Sequence, residues 1–226
     1  ESEVDYRLVM MEGGGSSDID DIVVADDHDD DHNDTRKKKK KKRKGGAQTV
    51  YFTDDTNNEH HEYDESSSSS ARDSYEQLFK TLTKNSPVNS TILETQGREI
   101  FVPSASSEHS IARFSFYDLC GTAKGAADYI AIGEQYHTLF IDDVPRLKYH
   151  EVNLVRRWIT LVDALYECRV KLVLHTSAWT EVEDMFMVDL ENEHCDEVFA
   201  FDRTRSRMEE MRSEGYLRKK WVGSRL

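Results

Sequence analysis

Thr138-Leu139-Phe140-Ile141-Asp142-Asp143, the run from Glu151 to Tyr166, and Val170-Lys171-Leu172-Val173-Leu174 together decide the fold. The first and last are short apolar runs of the length expected for strands buried on both faces. Between them, Leu154, Trp158, Leu161, Val162 and Leu165 recur at the spacing of a single helix face. The pattern therefore predicts a strand over 138–141, a helix over 151–166 and a strand over 170–174. Two strands joined by a helix at this distance form a parallel pair with a right-handed crossover. The expected class is α/β, a parallel sheet with flanking helices.

Further elements are expected upstream. Thr91-Ile92-Leu93-Glu94 and Arg98-Glu99-Ile100-Phe101-Val102 flank Gln96-Gly97, a hairpin signal. Ile111 to Phe116 reads as a strand and Ala126 to Tyr136 as a helix. Leu78, Phe79 and Leu82 suit one face of a helix capped at its start by Ser74. From Gly13 to Asp73 apolar periodicity almost vanishes. An Asp-rich run, nine consecutive basic residues from Arg36 to Lys44, and Ser66 to Ser70 follow one another. Such blocks bury too little apolar surface to offset ordering entropy, so the segment is expected to be disordered. Within it only Thr49-Val50-Tyr51-Phe52-Thr53 reads as a strand. Three regions result: 1–12 as the end of a preceding segment, 13–73 as a low-complexity charged insertion, and 74–226 as the α/β region.

Composition narrows the function. The mean hydropathy is −0.73 and the net charge −14. Residues 1–75 hold 20 acidic and 11 basic side chains, net −9, which leaves 24 and 19, net −5, for residues 76–226. A net acidic chain is a poor electrostatic coat for nucleic acid, so a nucleic-acid partner is not expected. The basic nonamer reads either as an address or anion-binding arm, or as a solvated insertion neutralised by its acidic neighbours. Cys120, Cys168 and Cys195 form no C-x-x-C pair, and neither a disulfide framework nor a metal site is expected. No run of 18 apolar residues is long enough to cross a bilayer.

Ligands of open parallel sheets sit beyond the carboxyl ends of the strands. Asp142-Asp143 ends the first strand there, a Walker-B-like shape in which one carboxylate helps to hold magnesium and the other orients a water. A turn or helix cap is the competing reading of the pair. His175-Thr176-Ser177 ends the next strand, with Ser177 or Thr176 a candidate polar sensor. Arg203 and Arg207, four apart on one helix face, are candidates for a phosphate or an interface. Arg156 and Arg157 are either phosphate ligands or partners of Asp163 and Glu167. His137, His150 and His175 have no partner that spacing identifies. There is no Gly-Lys dipeptide in the chain, hence no G-x-x-x-x-G-K-[ST] loop to wrap phosphates.

Gln96-Gly97-Arg98-Glu99, Phe116-Tyr117-Asp118-Leu119-Cys120, Gly125-Ala126-Ala127-Asp128-Tyr129, Arg156 to Tyr166, and Phe199-Ala200-Phe201-Asp202-Arg203 with Ser206-Arg207 resemble the mitochondrial AFG-type ATPases and their bacterial ZapE relatives. The likeness runs in order from Tyr75 to Leu217, with Val4-Asp5-Tyr6-Arg7 resembling a segment just upstream. Ala123-Lys124, Trp179-Thr180 and Arg205 depart from the family pattern. The resemblance implies a partial P-loop NTPase-like sheet, ATP and Mg2+ as cofactors, a homo-oligomer, and mitochondrial membrane or respiratory-chain proteins as clients. It also implies that the Walker A loop and principal Walker B segment precede the matched part. Since the sequence begins at Glu1, the expectation is of the carboxy-terminal portion of a longer polypeptide, inactive by itself, with Asp142-Asp143 a second, Walker-B-like edge.

Overall fold

The computed structural model describes residues 50–54, 70–148, 150–187 and 196–223. The basic nonamer, most of the charged insertion, the segment 1–12 and Cys195 lie outside the described residues. Six strands form one sheet in the order β1-β7-β5-β4-β3-β2: β1 Tyr51–Thr53, β2 Asn89–Thr95, β3 Arg98–Ser106, β4 Ile111–Ser115, β5 Thr138–Asp142 and β7 Lys171–Thr176. The pairings β1 with β7, β7 with β5 and β5 with β4 are parallel, while β3 runs against both β4 and β2. Every strand but β3 therefore points the same way. A separate two-stranded parallel pair joins β6, Leu147–Lys148, to β8, Phe186–Met187.

The decisive stretch folds as expected. Its helix, α4, runs Val152–Glu167 and connects β5 to the neighbouring β7. The buried face is wider than the five-residue stripe, since Val155 and Ile159 are buried too, while Leu154 is only partly covered. The hairpin also forms, and its turn residues Gln96 and Gly97 have φ of 47° and 75°. Two positive φ angles match the right-handed twist of the flanking strands.

Helices cover both faces. Leu139 and Ile141 of β5, Leu172 and Leu174 of β7, Ala112 and Phe114 of β4, and Tyr51 of β1 point into one core with α3, Ala126–Gln135, α4, and α5, Asp196–Met211. The alternate residues Phe140, Val173, Ile111 and Phe52 point the other way, under α1, Ala71–Leu82, which brings Tyr75, Leu78, Phe79 and Leu82 onto them. This period-two division makes three layers, helix on sheet on helices. Two elements differ from the sequence reading. Helix α1 starts earlier than expected, because Ser70 rather than Ser74 is its cap, in a capping box with Asp73. A short helix, α2, spans Phe116–Cys120 directly after β4, capped by Ser115 and Asp118.

Candidate functional site at the carboxyl edge of the sheet

On the face under α1, each parallel strand places a polar residue two positions after its apolar one. Phe52 is followed by Asp54, Val173 by His175, Phe140 by Asp142, and Ile111 by Arg113. The register staggers them from strand to strand, since Phe52 sits opposite His175, and Arg113 opposite Phe140, which itself sits opposite Val173. The strands run parallel, so within each of them the apolar residue lies deeper and the polar one nearer the carboxyl edge, and the polar side chains form a stepped row along that edge. The helix above matches both rows: its apolar residues seal the first, and Arg72 and Glu76 come down on the second.

Arg113 is held most firmly. Its Nη1 and Nη2 donate to Glu76 Oε2 and Oε1 at 2.8 and 2.6 Å, and its Nε and Nη2 donate to Asp142 Oδ2 and Oδ1 at 2.7 Å each. The guanidinium also lies 5.2 Å from the ring centres of Tyr75 and Phe79. Burial opposes its charge, but the hydrogen bonds to Glu76 and Asp142 outweigh that and raise its pKa. The same bond holds the Glu76 carboxyl below its ordinary range.

Asp142 and Asp143 differ in setting. Asp142 is largely enclosed, whereas the Asp143 side chain is 70% exposed and its φ is 55°. Left-handed backbone is uncommon outside glycine, and aspartate tolerates it better than most residues. The pair thus stands at a turn, as one of the two sequence readings has it, and also faces Arg72. Arg72 Nη1 lies 3.2 Å from Asp142 Oδ1, from Asp143 Oδ1 and from His175 Nδ1. His175 Nδ1 also lies 3.3 Å from Asp143 Oδ1, and its Nε2 lies 3.2 Å from Asp54 Oδ2. Tyr75 packs beside His175 with ring centres 5.7 Å apart, and burial raises its pKa. The Tyr75 hydroxyl is buried with no hydrogen-bond partner among the described residues.

Of the residues singled out from sequence, Asp142, Asp143 and His175 are in this row and the others are elsewhere. Ser177 is exposed just beyond β7, and its neighbour Thr176 is buried, donating to Val144 O at 2.6 Å and accepting from Ala178 N. Thr176 thereby pins the turn after Asp143. Arg156 is exposed on α4. Arg157 Nη1 donates to Cys120 O at 2.9 Å, closing the end of α2. Arg203 and Arg207, not Arg156 and Arg157, are the partners of Asp163, and Arg207 also reaches Glu167. Both acids lie in the latter half of α4, next to the start of β7, so these arginines sit toward the amino edge of the strands, away from Asp142. Buried Cys120 has its thiol pushed up to about 12, which leaves it inert. Among the described residues no group of three or more His, Cys, Asp or Glu side chains is preassembled around a metal position, and no helix is long and apolar enough to cross a membrane. Arg72, Glu76, Arg113, Asp54 and the role of His175 were missed by sequence reasoning.

A mostly parallel sheet with helices on both faces and charged groups gathered at its carboxyl edge is the architecture of a P-loop NTPase-like α/β protein. The model of the AFG1-like ATPase family matches residues 46–220, and the chain belongs to that family. It is 33% identical over 148 residues to the cell division protein ZapE of Escherichia coli, covering 66% of this chain and 37% of that protein. Lactation elevated protein 1 homolog B of Danio rerio is 31% identical over 172 residues, 65% of this chain and 34% of the relative. An uncharacterised protein of Schizosaccharomyces pombe is 31% identical over 156 residues, 59% and 34%. The chain thus spans about a third of the length of the curated relatives it matches. No solved structure matches it significantly.

Proposed function

We propose that this chain supplies the later α/β part of an ATP-hydrolysing enzyme, and that its charged row faces the magnesium and phosphates of the nucleotide. One observation carries the reading: the carboxylates that end β5, together with His175, converge on a single cationic nitrogen, Arg72 Nη1. That is the chemistry a divalent ion asks of a protein. Magnesium in phosphoryl-transfer sites takes one or two carboxylates and completes its shell with phosphates and water, so a preassembled cage is not required. Asp142 and Asp143 are the residues that would hold it, and the ion would supply neutralisation of phosphate charge. Arg113 keeps Asp142 aimed, and α1 covers the apolar residues beneath.

The phosphate-wrapping loop is supplied elsewhere in this reading, by an upstream segment of a longer polypeptide, and the 226 residues alone do not turn over ATP. Arg203, whose side chain is 54% exposed, is assigned to a contact with a neighbouring copy in a homo-oligomer. Resemblance to the AFG-type family supports a mitochondrial location and a role in quality control of inner-membrane and respiratory-chain proteins. The test is steady-state ATP hydrolysis by the protein made from its whole reading frame, against the double variant Asp142→Asn, Asp143→Asn. A fall of about a hundredfold is expected, the scale of losing an electrostatic element of the transition state. Unchanged turnover would assign this sheet to a non-catalytic protein-interaction module, the reading favoured by the lack of a Gly-Lys dipeptide.

A further inference from the structure

The two arginines of the charged row are held in different ways. Arg113 makes four short hydrogen bonds of 2.6 to 2.8 Å and its side chain is 17% exposed. Arg72 makes contacts of 3.2 to 3.4 Å and is 39% exposed. Its backbone position is unfavourable as well. Arg72 is the second residue of α1, where the exposed amides and the helix dipole favour anions over cations. The groups across the gap hold it, together with Glu76 one turn on in α1 and the Tyr75 ring beneath.

We propose that Arg72 is an exchangeable latch, which occupies the point shared by Asp142, Asp143 and His175 and leaves it when a divalent cation binds there. The inference rests on reading those carboxylates as the magnesium ligands. Geometry makes the two occupants exclusive: a nitrogen 3.2 Å from all three groups fills the space in which an ion would sit, about 2.1 Å from its ligands. Charge favours the exchange. The row holds the carboxylates of Asp54, Glu76, Asp142 and Asp143 against the guanidiniums of Arg72 and Arg113, formally −2. Replacing Arg72 by a divalent ion brings this to −1. The Tyr75 hydroxyl provides a second, independent sign of a missing occupant. It is fully buried, it has no partner among the described residues, and Asp142, Arg113, Arg72 and Glu76 are the charges that act on it. A buried polar atom without a partner is costly unless something else bonds to it, and water on a bound cation would do so. Because Arg72 is in the first turn of α1, cation binding is thereby linked to how that helix is tethered.

The experiment titrates Mn2+ alone, followed by electron paramagnetic resonance of the free ion, into the 226-residue chain and its variants. Removing a competitor raises affinity, so Arg72→Gln is expected to bind Mn2+ on the order of tenfold more tightly than the unaltered chain. A structural role for Arg72 would leave affinity unchanged or lower it, and either result overturns the latch. The variant Asp142→Asn, Asp143→Asn distinguishes the two levels of the argument. If it loses Mn2+ while Arg72→Gln matches the unaltered chain, the latch alone is wrong. If it binds Mn2+ as well as the unaltered chain does, the carboxylates are not the ligands and both readings fall. Should Arg72→Gln fail to fold by circular dichroism, Arg72→Lys serves, with an affinity expected between the other two, and an affinity no higher than the unaltered chain's overturns the latch.

Discussion

Arg113 of β4 and Glu76 of α1 face each other as two parallel N–H···O bonds of 2.6 and 2.8 Å, joining the sheet to the helix that covers it. The same guanidinium grips Asp142 with its remaining edge. Replacing Arg113 by Met leaves the Glu76 and Asp142 carboxylates with only the longer contacts of Arg72 between them. A loss of about 2 kcal/mol in folding stability is expected, below the cost of breaking a fully buried pair because the site is partly open. Arg72→Gln, by contrast, should cost less than about 1 kcal/mol. Urea unfolding of both variants checks the ranking, and equal midpoints would contradict it.

His137 makes stability depend on pH. Its ring lies edge-on to Trp221, 5.9 Å between centres, beside Thr138 and near buried Lys171. Burial, reinforced by the Lys171 charge, lowers its pKa from 6.5 to about 4. Between those values the unfolded chain binds a proton that the folded chain refuses. The contribution is therefore complete above pH 6.5 and is lost as pH falls toward 4, on the order of 3 kcal/mol at most. His137→Phe should flatten the slope between urea midpoints measured at pH 7.5 and 4.5. A slope as steep as that of the unaltered chain would assign it to other groups.

Lys171 is 1% exposed at the start of β7. Its Nζ donates to Tyr216 O at 3.1 Å and to Lys219 O at 2.6 Å, holding the end of the short helix α6, Glu214–Leu217. Met in its place fills the volume, removes the donor to Lys219 O and leaves Tyr216 O with the Lys219 amide. A cost of about 2 to 3 kcal/mol is expected, with faster hydrogen exchange confined to residues 213–222. Uniform exchange rates would show that the contact is not what anchors this tail.

Asp163 draws both Arg203 and Arg207, and Arg207 also lies 4.9 Å from the centre of the Tyr166 ring. A double-mutant cycle between Asp163→Ala and Arg207→Ala should give a coupling of about 1 kcal/mol. A value near zero would leave Arg207 available for other contacts.

Much of the backbone was readable because periodicity reports burial. The Leu154 to Leu165 stripe gave α4, and the short apolar runs gave β5 and β7. Two helix starts were not readable in the same way. Five successive serines hide which one caps α1, and the Ser70-x-x-Asp73 box resolves it only when the register is known. The helix Phe116–Cys120 is too short to show a period at all, though Ser115-x-x-Asp118 marked it. The carboxylates of the site were legible since they end an apolar run. Their partners were not: Asp54 and His175 are 121 positions apart, and Arg72 and Asp143 are 71 apart. Only strand order brings them together. The signal that could have found them is the recurring apolar residue with a polar one two places on, in four different strands.

That recurring pair has a consequence for how the sheet finds its alignment. In a strand, sliding by one residue exchanges the two faces. A slip in β1, β4, β5 or β7 would push a charged side chain under the greasy helices of the opposite layer and raise an oily one among the ions. Each strand therefore carries its own check against misthreading, and the charged groups gathered at the carboxyl edge also penalise wrong arrangements of the chain.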